Sequence, residues 1–233
     1  MLPAHAETAS AHRQGRLPAR PSGQDPAASL GTGRHRLGLS GQRDGVLVVP
    51  TGLTPTRKVP LIVALHGAGG EAHQMPDLMA GAAETSGVVL LSPESRGPTW
   101  DVIRGGIGPD VAFIDEALRE TFGQVAVDPA RIAIAGFSDG ASYALSLGLA
   151  NGGLFSDILA FSPGFMAAPA QEGRPRIFIS HGRSDEVLPI ERCSRRLAPA
   201  LERAVYDLEY LEFEGGHVVP ATMVERALAR FLA

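Results

Sequence analysis

The chain has 233 residues, of which 44% are hydrophobic and 20% charged, and its formal net charge is −4. This composition is typical of a soluble globular protein, and the small negative charge excludes a strong attraction to nucleic acid or to an anionic membrane. The lone cysteine, Cys193, excludes an intrachain disulfide and a cysteine metal cluster within one chain. We therefore expect a cytoplasmic protein without stable membrane insertion.

The first 33 residues are rich in Ala, Pro, Ser, Gly and Arg and show neither helical nor strand periodicity. They lack the continuous apolar stretch of a secretory signal. A segment of this kind buries too little apolar surface to offset the entropy lost on ordering. We predict a disordered tail over residues 1–33 and a single globular domain over residues 34–233.

Eight segments of this domain have the patterns of β-strands. The segments "RHRLGLS" and "VLVVP" flank a turn that contains Gly and Asp, which predicts an antiparallel hairpin at a sheet edge. Five continuous apolar runs follow, typical of strands covered on both faces: "LIVALHG", "VVLLSP", "IAIAGF", "ILAFSP" and "IFISHG". The last segment, "LEYLEF", contains polar residues and predicts a second edge strand.

Segments with helical periodicity separate the apolar runs, over residues 72–86, 109–122, 139–150, 190–204 and 220–232. This alternation predicts an α/β fold, a mostly parallel eight-stranded sheet with helices on both faces. The connection between the sixth and seventh strands is too short for a cap domain. Because ligands bind beyond the carboxyl ends of parallel strands, we expect the functional residues directly after the apolar runs.

The pentapeptide "GFSDG", residues 136–140, fits the pattern G-x-S-x-G between a strand and a helix. In this pattern the serine occupies a sharp turn that exposes its hydroxyl as a nucleophile, and glycine avoids collisions at the tight corner. The alternative is an ordinary serine at a helix N-terminus. We predict that Ser138 is a catalytic nucleophile.

A serine nucleophile needs a histidine base, which an acid orients. His217 follows two glycines after the last strand, and Asp185 follows the seventh strand, so the chain order is nucleophile, acid, base. Glu186 is the neighbouring alternative to Asp185. These residues predict a Ser138–Asp185–His217 catalytic triad, which requires no metal and no organic cofactor.

Acyl transfer also needs N–H donors for the oxyanion of the transition state. One donor is expected from Asp139, directly after the nucleophile, and the other from the loop "HGAGG" after the third strand, for which we predict Ala68. This loop lacks the Gly-Lys-Ser/Thr of a phosphate-binding P-loop. Trp100, in the loop after the fourth strand, is predicted either to line a substrate pocket or to pack in the core.

The motifs "LHGAGG", "GFSDG", "SHGRSDEVLPI" and "FEGGHVVP" resemble the α/β-hydrolase superfamily, in particular the phospholipase/carboxylesterase branch that includes acyl-protein thioesterases. The chain is also similar to esterases of the feruloyl-esterase and polyhydroxyalkanoate-depolymerase group. The resemblance implies a serine esterase with Ser138, Asp185 and His217 as its triad. The chain departs from the branch in having "GFSDG" rather than "GFSQG", and Gly70 where the thioesterases commonly have Asp.

We therefore predict a hydrolase that cleaves a small-molecule carboxylic ester through an acyl-enzyme. A thioesterase and an aryl esterase of the feruloyl type use the same machinery, so both remain alternatives. A non-catalytic α/β-hydrolase scaffold that binds a small molecule is the alternative from another class. The sequence gives no prediction of the oligomeric state.

Overall fold

A computed structural model of the chain describes residues 4–22, 30–53 and 58–233. Its eight strands are β1 (Gly33–Arg36), β2 (Gly45–Val49), β3 (Val59–Leu65), β4 (Val89–Pro93), β5 (Val127–Phe137), β6 (Asp157–Phe161), β7 (Arg176–Gly182) and β8 (Leu208–Phe213). Its α-helices are α1 (Ala4–Arg13), α2 (Gln74–Ser86), α3 (Pro109–Gln124), α4 (Asp139–Ala150), α5 (Ser194–Arg203) and α6 (Ala221–Leu232). A short 3-10 helix covers Asp101–Arg104.

The strands form one sheet in the order β1-β2-β4-β3-β5-β6-β7-β8. Strand β2 pairs antiparallel with both β1 and β4, and all the other pairs are parallel. The predicted fold class is thereby confirmed, as are the hairpin at one edge and the edge position of the last strand.

The helices cover both faces of the sheet, because the strands alternate their side chains between two apolar layers. One layer packs the sheet against α3, α4 and α5, and includes Ile114, Tyr143 and Leu201. The other packs it against α2 and α6, and includes Met79 and Phe231. No helix within the described part of the chain is long and apolar enough to cross a lipid bilayer.

The strand register brings the carboxyl ends of the parallel strands to a common edge. Gly136 near the end of β5 is paired with Leu65 at the end of β3, and Phe137 is paired with Phe161 at the end of β6. The end of β7 is likewise paired with Phe213 of β8. Residues that follow these strands therefore lie close together at this edge.

Residues 4–22 differ from the disordered tail that the sequence predicts. Helix α1 is followed by a segment in which Leu17 and Ala19 are buried, only 1% and 4% exposed. The Ala19 N–H donates to Asp115 Oδ1 at 2.7 Å, and the Leu17 N–H donates to Asn151 Oδ1 at 2.9 Å. The segment is thus held by buried polar groups of α3 and of the end of α4. Residues 1–3 and 23–29 of the predicted tail lie outside the described residues.

Candidate active site

Ser138 lies at a sharp turn between β5 and α4. Its backbone has φ 58° and ψ −120°, in the left-handed half of conformational space that non-glycine residues rarely adopt. The flanking glycines allow this turn. A Cβ on Gly136 would lie 2.2 Å from the carbonyl oxygen of Gly140, and a Cβ on Gly140 would lie 2.2 Å from that of Leu65.

The structure brings the three side chains of the predicted triad together. His217 Nε2 lies 2.9 Å from Ser138 Oγ, and His217 Nδ1 lies 2.6 Å from Asp185 Oδ2. The imidazole also packs against the ring of Phe137, with a centroid separation of 4.7 Å. Glu186, the alternative acid, is exposed, whereas Asp185 is 4% exposed. The imidazole therefore bridges the hydroxyl and the buried carboxylate.

The loop after β7 holds the carboxylate of Asp185 in place. Asp185 Oδ1 accepts hydrogen bonds from the backbone N–H groups of Val187, at 3.0 Å, and Leu188, at 2.8 Å. Burial opposes ionisation of Asp185, but the hydrogen bonds from His217 and from the Leu188 N–H outweigh burial and lower the pKa of the carboxyl. Asp185 is therefore a carboxylate at neutral pH.

The loop over residues 66–70 lies beside the Ser138 turn. The Gly69 N–H donates to Pro98 O at 2.7 Å, and the Gly70 N–H donates to Gly67 O at 3.0 Å, so both are engaged. Among the described residues, no hydrogen bond uses the N–H of Ala68. Asp139 is the first residue of α4, where N–H groups have no partner inside the helix. These are the two N–H groups for which the sequence predicts an oxyanion hole.

His66 fixes the start of this loop. Its Nε2 accepts a hydrogen bond from the Ser95 N–H at 3.1 Å, and its Nδ1 lies 2.7 Å from Gly67 O, so the proton of the neutral ring is on Nδ1. Burial lowers the pKa of His66, which favours this neutral form. Gln74 accepts a hydrogen bond from the Gly67 N–H at 2.9 Å.

Trp100 lies beneath the loop, in the core. Its side chain is fully buried, donates from Nε1 to His66 O at 2.9 Å and stacks on Tyr143 with a centroid separation of 5.1 Å. A fully buried indole does not contact a substrate in a surface cleft. The predicted substrate-binding role of Trp100 is therefore wrong, and the alternative of core packing is correct.

The side chain of Asp139 is partly buried and turns toward Thr99. Its Oδ2 accepts a hydrogen bond from Thr99 Oγ1 at 2.6 Å. A carboxylate in the first turn of α4 also interacts favourably with the positive end of the helix dipole. These contacts explain how an acidic residue is accommodated next to Ser138.

Sequence reasoning missed His181, which is fully buried next to Asp185. His181 Nε2 lies 3.2 Å from Asp185 Oδ2 and 2.8 Å from Leu188 O, and its Nδ1 lies 2.6 Å from Ser194 Oγ. The signal available in the sequence was its position at the end of β7, at the edge of the sheet where the other site residues lie.

His217 lines an open cleft of about 760 Å³. Its walls come from the loop after β3, the first half of α2 and the loop after β8. The cleft is lined by Gly69, Gly70, Glu71, His73, Gln74, Asp77, Leu78, Phe137, His217, Val218 and Val219.

The sheet order and the strand–serine–helix turn define an α/β-hydrolase fold. The family model described as phospholipase/carboxylesterase matches residues 110–233, just over half of the chain. The chain belongs to this family.

Relatives and solved structures agree with this assignment. The chain is 27% identical over 157 residues to feruloyl esterase C of Emericella nidulans, an alignment that covers 64% of this chain and 57% of the relative. It is 29% identical over 153 residues to a putative esterase, NocK, of Nocardia uniformis subsp. tsuyamanensis, covering 60% of this chain and 44% of the relative. The chain thus spans about half the length of these two relatives. The structure of S-formylglutathione hydrolase from Staphylococcus aureus superimposes with a TM-score of 0.68 at 13% identity, covering 88% of this chain and 99% of that one, which shows a shared fold.

Proposed function

We propose that this protein is a serine hydrolase that cleaves carboxylic esters through an acyl-enzyme intermediate. The observation that carries the proposal is the position of the His217 ring, with Nε2 2.9 Å from Ser138 Oγ and Nδ1 2.6 Å from Asp185 Oδ2. This is the arrangement in which a base activates a serine while an acid orients the base. Membership of the phospholipase/carboxylesterase family supports the same chemistry.

Asp185 selects the tautomer of His217 that the reaction needs. A carboxylate accepts only, so the short contact at 2.6 Å puts the imidazole proton on Nδ1 and leaves the lone pair of Nε2 facing the serine hydroxyl. When the ring becomes doubly protonated, the same carboxylate stabilises its positive charge.

In the proposed reaction, Ser138 Oγ bonds to the ester carbonyl carbon while its proton passes to His217 Nε2. The bond from that carbon to the alcohol oxygen then breaks, and His217 returns the proton to the departing alcohol. A water molecule attacks the acyl-enzyme carbon and gives a proton to His217. Release of the carboxylic acid breaks the bond to Ser138 Oγ, which recovers its proton from His217.

The N–H groups of Ala68 and Asp139 are the proposed donors to the oxyanion of each tetrahedral intermediate. Each donor of this kind contributes about 10²–10³ in rate. Asp139 lies at the amino end of α4, where the helix dipole adds to the stabilisation of a negative charge. His66 and Trp100 support the Ala68 loop from below through the hydrogen bonds of the imidazole and of the His66 carbonyl.

An aryl ester of the feruloyl type is the second candidate substrate class. It is favoured by the similarity to feruloyl esterase C. A thioester would react by the same steps, but no residue in the cleft favours sulfur over oxygen. A non-catalytic scaffold is disfavoured, because binding alone does not require an imidazole that bridges a hydroxyl and a carboxylate.

The test is covalent labelling by a fluorophosphonate probe and turnover of p-nitrophenyl acetate. We expect Ser138→Ala to fold with an unchanged circular dichroism spectrum, to lose labelling and to lose turnover by several orders of magnitude. The control variant Ser86→Ala removes an exposed hydroxyl at the end of α2 and should retain both the labelling and the turnover. Labelling that persists in Ser138→Ala would refute the proposal.

A further inference from the structure

The cleft beside His217 combines apolar side chains with free space. Leu78 of α2 and Val218 of the loop after β8 are 41% and 52% exposed, although they are large hydrophobic residues. Phe137 and Val219 contribute further apolar surface to the same walls. A cluster of exposed apolar side chains in a cleft is typical of a binding site. Here the cluster and His217 line the same cleft.

The charges of the cleft are one-sided. Glu71 and Asp77 line it, and none of the lining residues in the described part of the chain is Lys or Arg. Asp77 is paired with Arg34, whereas the ionic contact of Glu71 among the described residues is with His73, at 3.5 Å, which is not a permanent cation. The nearby Arg43 donates to Gly70 O at 3.0 Å and lies 3.9 Å from Glu94, so its charge is already engaged.

The position of the cleft beside His217 indicates that it faces the alcohol portion of an ester. In the proposed mechanism, His217 Nε2 gives its proton to the alcohol oxygen, so the group attached to that oxygen lies beside the imidazole. His217 is itself one of the residues that line the cleft. The alcohol portion of the substrate therefore faces Leu78 and Val218, and the carboxylate of Glu71.

We infer that this cleft binds the apolar, uncharged alcohol portion of an ester and discriminates against an anionic alcohol portion. The inference rests on the proposed function and adds the substrate class to it. Apolar contact with Leu78, Phe137 and Val218 favours an aryl or alkyl group. The charge of Glu71 disfavours a carboxylate or phosphate in the same place, by about 2- to 5-fold, as expected for a partly screened charge within about one Debye length.

The first test compares two acetate esters, methyl para-acetoxybenzoate and para-acetoxybenzoate, which differ by one negative charge on the alcohol portion. Their values of kcat/KM are divided by their rates of hydroxide-catalysed hydrolysis, which corrects for leaving-group reactivity. We expect the wild type to prefer the neutral ester. We expect Glu71→Gln to raise kcat/KM for the anionic ester by about 2- to 5-fold at low salt, and to change that for the neutral ester by less.

Glu202→Gln is the matched control for the loss of a charge. Glu202 is an exposed carboxylate on α5, on the opposite face of the sheet from α2. This substitution should leave the normalised kcat/KM of both esters unchanged. If Glu202→Gln and Glu71→Gln shift the preference equally, the effect belongs to the net charge of the protein, and the assignment to the cleft is overturned.

Leu78→Asp tests the apolar wall independently. It should lower kcat/KM for both esters, and more for the anionic one, while Val205→Asp, at an exposed valine outside the cleft, should not. Phenyl hydrogen succinate carries its charge on the acyl portion. If its hydrolysis responds to Glu71→Gln as strongly as that of para-acetoxybenzoate, the cleft does not bind the alcohol portion.

The outcomes separate the inference from the proposed function. If the neutral ester is hydrolysed in a Ser138-dependent reaction but the enzyme does not prefer it over the anionic ester, the inference is overturned and the esterase proposal stands. Absence of turnover that depends on Ser138, for all three esters and p-nitrophenyl acetate, overturns both.

Discussion

The imidazoles of His181 and His217 contact the same oxygen of Asp185. Oδ2 lies 3.2 Å from His181 Nε2 and 2.6 Å from His217 Nδ1. Burial lowers the pKa of His181, so its ring is neutral. Its Nε2–H donates toward Leu188 O and Asp185 Oδ2, and its Nδ1 accepts a hydrogen bond from the Ser194 hydroxyl. His181 therefore connects the loop that carries Asp185 to the start of α5.

We expect His181→Phe, which leaves no side-chain donor to Asp185, to act through the position and charge of Asp185. A misplacement of about 1 Å in such a group costs up to about 10²-fold, so kcat should fall by about 10- to 100-fold with little change in KM. The acidic limb of the profile of kcat/KM against pH should also move to higher pH, because Asp185 loses a donor and attracts the imidazole proton more strongly. Steady-state kinetics with p-nitrophenyl acetate across the pH range measures both effects.

The control for this prediction is Ser194→Ala, which removes the hydroxyl that contacts the far side of His181 but leaves the contact with Asp185. It should lower the free energy of unfolding by about 1–3 kcal/mol and leave the acidic limb in place. If His181→Phe lowers only the stability and its pH profile coincides with that of the wild type, His181 has no positioning role.

The neutral state of His66 makes the stability depend on pH. Because burial lowers its pKa in the folded state, the unfolded chain binds the proton more readily between the folded and the unfolded pKa values. The contribution to stability is therefore lost as the pH falls below the unfolded value of about 6.5. We expect the free energy of unfolding in urea to be less pH-dependent in His66→Gln than in the wild type between about pH 7 and about pH 5.

His73→Gln controls for the removal of an imidazole, because its side chain is 59% exposed and outside the core. It should retain the wild-type dependence of stability on pH. An equal pH dependence in His66→Gln and the wild type would show that His66 is protonated without penalty in the folded state.

The sequence predicted the sheet because burial on both faces leaves long apolar runs, and it predicted the Ser138 turn because the two glycines meet backbone atoms. The contacts of His181 and His66 were not predictable in the same way. Their partners are set by the packing of loops, and periodicity carries no information about which polar atoms meet in the core. The segment around Leu17 was missed for a related reason. Its partners Asp115 and Asn151 lie 96 and 134 residues away along the chain, and its own pattern is irregular.

Gly136 and Gly140, the two glycines close to Ser138, should be intolerant of a methyl group. In Gly140→Ala the new Cβ would lie 2.2 Å from Leu65 O and 2.4 Å from His66 O, both backbone atoms at the start of the loop over residues 66–70. We expect a loss of several kcal/mol in the free energy of unfolding, or failure to fold, since backbone strain and overpacking act together. Thermal and urea unfolding measure the loss.

Gly81→Ala is the matched substitution in a helix, because a Cβ at Gly81 in α2 meets no atom of the described residues within 4 Å. Alanine is favoured over glycine inside a helix, so this variant should be more stable by up to about 1 kcal/mol. If Gly140→Ala is as stable as Gly81→Ala, the strand and the helix do not approach each other as closely as the turn requires.

The packing of Leu17 makes the segment after α1 part of the folded body. Leu17 is 1% exposed and its N–H donates to Asn151, which in turn donates from Nδ2 to Gly15 O at 2.7 Å. We expect Leu17→Ala to lower the free energy of unfolding by about 2–4 kcal/mol, through lost burial and the cavity that remains. Val187→Ala removes an exposed side chain, 65% accessible, and should change stability by no more than about 0.5 kcal/mol. Urea unfolding of the three proteins decides the matter: a Leu17→Ala variant that unfolds at the same urea concentration as the wild type would mean that this segment lies free of the domain.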